Sequence, residues 1–88
     1  MPHLRLRLYV VGNAPNSVRA VTNVRAICGE HFADRHDLEI VDLLAFPRRA
    51  VEDGIIVTPT LLKLCKPLRR LIGDLSDTKQ VLIALGRA

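Results

Sequence analysis

The sequence is poor in the residues on which redox, metal and base-stacking chemistry depend. Its 88 residues include two cysteines, one tyrosine, two phenylalanines and no tryptophan. Cys28 and Cys65 lie far apart in apolar stretches, so no CxxC, CxxH or HxxxH spacing exists. We therefore expect two small buried thiols in a reducing compartment rather than a disulfide or a metal site. His3, His31 and His36 also lack ligand spacing, and we expect them at the surface.

Long hydrophobic runs are also missing. No apolar stretch approaches the roughly 18 residues that cross a bilayer, and the first residues contain no signal-peptide core. We expect a cytoplasmic protein with no membrane partner.

The formal net charge is +4, from 13 Lys and Arg against 9 Asp and Glu. The basic residues are scattered, and the few aromatic side chains provide no platform on which single-stranded bases could stack. Nucleic-acid binding therefore stays open as a minor alternative, and an acidic protein partner fits this pattern better. Hydrophobic residues make up 49% of the chain, which argues against disorder and predicts one domain over residues 1–88.

The first half of the chain predicts a strand, a helix and a second strand. Residues 4–11 alternate between apolar and polar side chains, which indicates a strand of period two. An amphipathic pattern predicts a helix over residues 17–30, capped by Asn16 or Ser17 and fraying at Gly29. A second strand is predicted over residues 38–44. These lengths are typical of a parallel βαβ unit.

The second half predicts a short helix, a hairpin and a last helix. Pro47 suits the first position of a helix that runs to residue 53 and is stopped by Gly54. Residues 54–76 form two apolar runs separated by a break at Pro67, which indicates a hairpin. Pro59 belongs at the first residue of its strand because it cannot donate to a ladder. We expect Ser76 to cap the last helix, which Gly86 ends.

This order of elements, with Thr58-Pro59-Thr60 before the third strand, resembles the thioredoxin fold. The resemblance implies an α/β βαβαββα domain with a mixed four-stranded sheet and three helices, and a cis peptide bond at Pro59. The loop over residues 12–17 carries no thiol, whereas thiol–disulfide exchange needs one thiolate to attack and another to resolve. A redox or small-molecule-binding thioredoxin relative is therefore the alternative function, and no catalytic residue or cofactor is expected.

A narrower resemblance, to the KaiB circadian-clock protein family, covers nearly the whole chain in order. The motifs that carry it are LRLYVVGN (6–13), PNSVRA (15–20), VDLL (41–44), TPTL (58–61), RRLIGDLS (69–76) and KQVLI (79–83), together with Glu52-Asp53.

The KaiB resemblance implies a non-enzymatic regulator that binds the ring of a KaiC-type ATPase and modulates its phosphorylation cycle. It also implies KaiA and a clock-output histidine kinase with a KaiB-like domain as further partners. The family is metamorphic, and its ground state is a tetramer with a refolded carboxyl half, whereas the binding state is a thioredoxin-like monomer. Two such folds must differ by only a few kcal/mol.

Three departures from the family pattern favour the thioredoxin-like state at rest. Ala84 stands where relatives commonly carry glycine, and alanine favours a helix by about 0.8–1.0 kcal/mol. Only Pro67 remains where relatives often have consecutive prolines, and the long acidic tail of many relatives has no counterpart after Ala88. The alternative is the tetrameric ground-state fold. Together with Pro59 and Gly73, Ala84 and Pro67 are the residues we expect to determine the fold.

The resemblance also suggests which residues contact a partner. Glu39 and Gly54 lie where many relatives carry lysines, near the family's KaiC-binding region, so the partner could differ. Arg19 is either a partner contact or a solvated helix residue. Asp42 interrupts an apolar strand, and a hydrogen bond at the strand end explains it most simply. The full predicted set is Arg19, Glu39, Asp42, Glu52, Gly54, Arg69 and Arg70.

Overall fold

The first strand, β1 (Leu4–Val10), lies at the centre of the sheet in a computed structural model that describes residues 3–86. Its odd and even side chains point to opposite faces, and both faces are covered. Leu6 and Leu8 pack on one side, while the ring of Tyr9 is fully buried on the other. The remaining elements are α1 (Pro15–His31), β2 (His36–Asp42), α2 (Pro47–Glu52), β3 (Thr60–Lys63), β4 (Arg69–Ile72) and α3 (Thr78–Ala84).

The sheet has the order β2-β1-β3-β4 and is mixed, as predicted. β2 runs parallel to β1, whereas β3 and β4 add antiparallel strands on the other side. α1 and α3 cover one face with an aliphatic cluster, and α2 covers part of the other. The predicted βαβαββα architecture is therefore confirmed. None of the helices in residues 3–86 is long and apolar enough to cross a membrane.

Several predicted boundaries of the first half are wrong by a few residues. α1 begins at Pro15, and neither Asn16 nor Ser17 caps it; the buried Ser17 hydroxyl instead accepts a hydrogen bond from the Val11 amide at 3.1 Å. Gly29 does not end this helix, which continues to His31. The predicted start is too late because it rests on Asn16 or Ser17 as the cap. Pro15 fits the first helical position, where an N–H would have no intrahelical acceptor.

The second strand begins and ends two residues earlier than predicted. Pairing starts at Leu4 with His36 and finishes at Val10 with Asp42. The Asp42 carboxylate then accepts a hydrogen bond from the Leu44 amide at 2.9 Å, and the Asp42 carbonyl accepts one from Phe46. An aspartate that bonds the backbone two residues on forms a turn, which ends the strand there.

In the second half, the hairpin and the short helix lie where predicted, with two corrections. β3 begins at Thr60, one residue after Pro59, and the preceding apolar residues 55–57 form a loop. Asp77, not Ser76, caps α3, because its carboxylate accepts from the Gln80 amide at 3.2 Å. Thr58–Pro59 is cis, as the resemblance implied; Lys66–Pro67 is also cis, which was not predicted.

Candidate protein-binding site

A depression that we call the α2 groove lies between the end of α2 and the β3–β4 hairpin. Its volume is about 410 Å³, and its lining includes Glu52, Asp53, Leu62, Leu68, Arg69 and Arg70. A helix of six residues is only about 9 Å long, so α2 leaves much of this face of the sheet uncovered. The predicted partner-binding residue Glu52 therefore shares one surface with the predicted pair Arg69 and Arg70, which lie 17 and 18 positions later in the sequence.

Arg70 connects the hairpin to the carboxyl end of α2. Its two terminal nitrogens donate to the carbonyls of Gly54 at 2.8 Å and of Asp53 at 2.9 Å. The last carbonyls of a helix lack intrahelical donors, and a cation satisfies them well. Gly54 has a positive φ of 67°, so its contribution is a backbone conformation that glycine adopts without strain.

The two adjacent arginines of β4, both predicted as partner contacts, differ in their strand pairing. Arg69 and Arg70 are both exposed because β4 is an edge strand. Arg70 pairs in register with Leu62, which packs on the α2 face, whereas Arg69 pairs with Lys63 on the α1–α3 face. By register the two side chains leave opposite faces of β4, although both residues line the α2 groove.

Glu39, another predicted partner contact, lies between two arginines. Its carboxylate accepts from Arg49 at 2.7 and 2.8 Å and from Arg7 Nε at 2.7 Å. These bonds join β1, β2 and α2 across the surface beside the groove. Glu39 is therefore already engaged within the domain, and a partner would meet a neutralised cluster rather than a free carboxylate.

Asp53 continues the same network toward the core. Its Oδ2 atom accepts from the Tyr9 hydroxyl at 2.6 Å and from Arg7 Nη1 at 2.9 Å. The Tyr9 hydroxyl also lies 2.9 Å from the carbonyl of Arg49. A polar group at the end of a buried ring needs such a partner, because an unpaired hydroxyl would be costly there.

These contacts shift the acid–base behaviour of the cluster. Hydrogen bonds from Arg49 and then from Arg7 lower the pKa of Glu39 from 4.5 to about 2. The hydrogen bond from Tyr9 lowers the pKa of Asp53. Burial, together with the bond to Asp53, raises the pKa of Tyr9 to about 12. Both carboxylates are consequently ionised, and the phenol is neutral, throughout the physiological range.

Apolar side chains are exposed on the elements that flank the groove. Val51 on α2 is 79% exposed, Ile56 in the following loop 92%, and Leu68 before β4 63%. Leu68 lines the groove itself. Exposed apolar side chains rimmed by charged groups are a common feature of protein-binding surfaces.

Two predicted contact residues lie outside this region. Arg19 bonds the Asn16 side chain and lies 3.4 Å from the carboxylate of Asp74, so it joins α1 to the segment before α3. Asp42 accepts from the Gly12 amide at 3.3 Å as well as from Leu44. A strand-end hydrogen bond was the simplest explanation of Asp42, and it is confirmed.

The thiols lie away from the loop that carries the cysteine pair in thioredoxins. Cys28 is fully buried on α1, and burial raises the pKa of its thiol to about 11. Cys65 is partly buried in the β3–β4 turn, and both cysteines are free. Within residues 3–86, no three His, Cys, Asp or Glu side chains are grouped so that they could bind a metal ion.

The fold places the chain among thioredoxin-like domains. It is similar to the solution structure of the N-terminal domain of Synechococcus elongatus SasA, with a TM-score of 0.76 and 27% identity over 97% of this chain and 85% of that one. It is also similar to the germline-specific thioredoxin Deadhead of Drosophila melanogaster, with a TM-score of 0.76 over 92% of this chain and 76% of that one. The second likeness, at 12% identity, concerns the fold alone.

Comparison of sequences then defines the family. The family model described as the KaiB domain matches residues 7–87. The circadian clock protein KaiB3 of Synechocystis is 48% identical over 97% of this chain and 84% of its own length. The circadian clock oscillator protein KaiB of Microcystis aeruginosa is 51% identical over 91% of this chain and 78% of its own. This chain belongs to the KaiB family of circadian clock proteins.

The predicted site omitted four residues that organise the surface: Arg7, Tyr9, Arg49 and Asp53. One signal was available, since Arg7 and Tyr9 occupy the second face of an alternating strand that must itself be covered. Nothing in the sequence indicated that Arg49 and Asp53 would meet them, because those contacts span 40 or more positions.

Proposed function

We propose that this chain is a non-enzymatic clock regulator that binds the ring of a KaiC-type ATPase through the α2 groove. Membership of the KaiB family over residues 7–87 is the observation that carries the proposal. The groove supports it, because Glu52 and Arg70 present unlike charges beside the exposed Leu68. Such a mixture provides apolar area for affinity and charges for orientation.

As part of the same proposal, residues 1–88 form one cytoplasmic domain that rests mainly as a thioredoxin-like monomer. Ala84 lies in α3 and supports this fold through helix propensity. The tetramer with a refolded carboxyl half is then the minor state. NMR secondary shifts would report strand across residues 60–63, whereas helical shifts there, or a stable tetramer by light scattering, would contradict the proposal.

KaiA and a clock-output histidine kinase are the further partners in this proposal. The likeness to the N-terminal domain of SasA supports competition, since two domains of one shape can occupy one binding surface in turn. Competition predicts that a KaiB-like kinase domain and this chain displace each other from the KaiC-type ring. Simultaneous saturating binding of both would contradict it.

The direct test is size-exclusion chromatography of the chain with the KaiC-type ATPase of the same genome and ATP. Co-elution is expected, and Glu52→Lys should weaken binding by roughly tenfold through charge reversal in the groove. Glu30→Lys on α1 is the matched control, since Glu30 is also exposed and lies outside the groove. Absence of a complex, or equal losses in both variants, would overturn the proposed docking surface.

A further inference from the structure

A second cavity lies at the opposite end of the sheet from the loop over residues 12–17. Its volume is about 340 Å³, and it is bounded by Leu4 at the start of β1 and by Leu85 at the end of α3. The α1–β2 connection contributes Phe32 and Arg35, and the β3–β4 turn contributes Cys65 and Pro67. This volume is at the lower end of the range for small-molecule sites, about 300–1,000 Å³.

Lys63 is the unusual residue of this cavity. The residue is only 6% exposed; within residues 3–86 its Nζ has no hydrogen bond or ion pair and is not fully buried, so it keeps some contact with solvent. Its side chain lies on the face of Leu6 and Leu61, and its Nζ is 3.9 Å from the position that a Cβ of Gly86 would occupy. Gly86 and Lys63 both line the cavity, so the ammonium points into it. The apolar stem of Lys63 is therefore buried while its ammonium stays within reach of solvent, as is usual for lysine.

The charge around Lys63 has one sign. Arg35 and Lys66 line the same cavity, and none of its ten lining residues is acidic. Arg35 donates to the His31 carbonyl at 3.0 Å and forms no ion pair within the described residues. His3 pairs at 3.0 Å with Asp37, an exposed residue outside the lining. The cavity therefore has a positive potential that favours an anion.

The rest of the wall is apolar. Leu4, Phe32, Pro67 and Leu85 provide aliphatic and aromatic surface, and Leu4 and Leu85 are themselves part of the core cluster. An inorganic anion would satisfy the ammonium but would leave this surface in contact with water. A ligand with an apolar body would bury it, at about 25 cal/mol for each Å².

We propose that this cavity binds a small amphiphilic anion, consisting of one carboxylate or phosphate group on a short hydrocarbon body. The anionic group would lie against Lys63, with Arg35 and Lys66 nearby, and the hydrocarbon would lie against Phe32 and Leu85. A two-chain lipid is too large for this volume. Lys63 is the one residue that this cavity shares with the lining of the α2 groove, and the inference does not depend on the proposed function.

Titration with octanoate, octyl phosphate and octanol tests the proposal by isothermal calorimetry and amide NMR. For a ligand of roughly ten heavy atoms, the octanoate Kd is expected at about 1 mM. Octanoate and octyl phosphate should shift the resonances of Leu4, Phe32 and Leu85. Octanol should bind at least about tenfold more weakly, because its hydroxyl carries no negative charge to pair with the ammonium. Shifts centred on the α2 groove, or equal binding of octanol, would overturn the proposal.

Lys63→Met removes the charge and keeps the length of the side chain. It should fold, because methionine keeps the apolar stem that is buried at this position. Octanoate binding should fall by about tenfold or more, while octanol binding stays unchanged. Lys79→Met, an exposed position on α3, is the matched control and should bind as the parent does. Unaltered octanoate affinity in Lys63→Met, with unfolding at the parent temperature, would refute the assignment.

Cys65 provides an independent readout, because it lines the cavity and its thiol is free. Saturating octanoate should slow its alkylation by iodoacetamide by several-fold, and Lys63→Met should abolish this protection. Cys28 is fully buried and should remain unmodified throughout. Alkylation of Cys65 at the same rate with and without octanoate would show that the ligand lies elsewhere.

Discussion

The two faces of the sheet are stabilised in different ways. Within residues 3–86, twelve buried residues form the cluster under α1 and α3, and nearly all of them are aliphatic. The α2 face has four: Tyr9, Val41, Ala50 and Leu62. A network of arginines and carboxylates bridges its strands and helix instead. Apolar burial does not depend on pH, whereas ion pairs respond to pH and are screened by salt.

This difference indicates what each face does. A dry aliphatic cluster provides most of the stability and leaves few groups with which to recognise a partner. The α2 face keeps charged groups and exposed apolar side chains at the surface, at the expense of a smaller core. The division fits the proposal above, in which the α1–α3 face maintains the fold and the α2 face binds a partner.

Leu8→Ala on the α1–α3 face should have the largest effect on the free energy of unfolding. Leu8 is fully buried on the central strand, so truncation leaves a cavity and should cost about 3 kcal/mol. Urea denaturation followed by circular dichroism measures the loss. Val51→Ala is the control on the other face; Val51 is exposed, so its truncation should change little. Comparable losses in the two variants would contradict the contrast between the faces.

Tyr9→Phe on the α2 face should lower the free energy of unfolding by roughly 1.5 kcal/mol, half the loss expected for Leu8→Ala. The ring and its packing remain, but Asp53 loses its 2.6 Å hydrogen bond and keeps only Arg7. The same denaturation experiment measures this effect. With the hydroxyl present, stability should also fall as pH rises from about 10 to about 12, because only the unfolded phenol ionises in that range. Tyr9→Phe should remove that alkaline loss, and an unchanged alkaline profile would contradict the assigned role.

Much of the architecture was predictable because it depends on local patterns. The apolar stripe over Ala20, Val21, Val24, Ile27 and Cys28 predicted the inward face of α1; four of these residues are buried and Val21 is partly buried. Boundaries were less predictable, because competing signals overlapped. Pro15 suits a first helical position and Ser17 suits a cap, and only the contact with the Val11 amide decides between them.

The candidate site was predictable only in part. Glu52, Gly54 and Arg70 came from a resemblance in sequence, and the structure brings them to one end of α2. The Glu39 cluster could not be predicted, because its members belong to β1, β2 and α2 and meet only after the sheet has formed. Leu75 adopts a positive φ of 62° while buried, and no local signal indicated this conformation.

Glu39→Gln should reduce the acid sensitivity of the α2 face. The folded pKa of Glu39 is about 2 and its ordinary value is 4.5, so the unfolded chain takes up the proton first. The contribution of the pair is complete above about pH 4.5 and is lost as pH falls toward 2. Since the side chain is 45% exposed, we expect a loss of about 1 kcal/mol or less at neutral pH.

Thermal denaturation between pH 2 and pH 7 measures this effect. Glu39→Gln should show a flatter profile below pH 5, with a residual slope from Asp53, whose pKa is also lowered. Glu52→Gln is the control, since Glu52 is exposed and lies on the same face. High salt should narrow the difference between Glu39→Gln and the parent. Identical acid profiles would mean that the arginine pairs contribute nothing to stability.

Ala84→Gly, at the end of α3, should have the smallest effect on the free energy of unfolding. An interior helix position would lose about 0.8–1.0 kcal/mol, but Ala84 is the last residue of α3, so about 0.5 kcal/mol is expected. The substitution is informative about the proposed second fold. A change of this size alters the ratio of the two folds about twofold. NMR exchange spectroscopy would then show a larger minor state in Ala84→Gly, whereas Leu8→Ala would destabilise the thioredoxin-like form far more. If the minor population changed in neither Ala84→Gly nor Leu8→Ala, the helix propensity of α3 would not determine which fold the chain adopts.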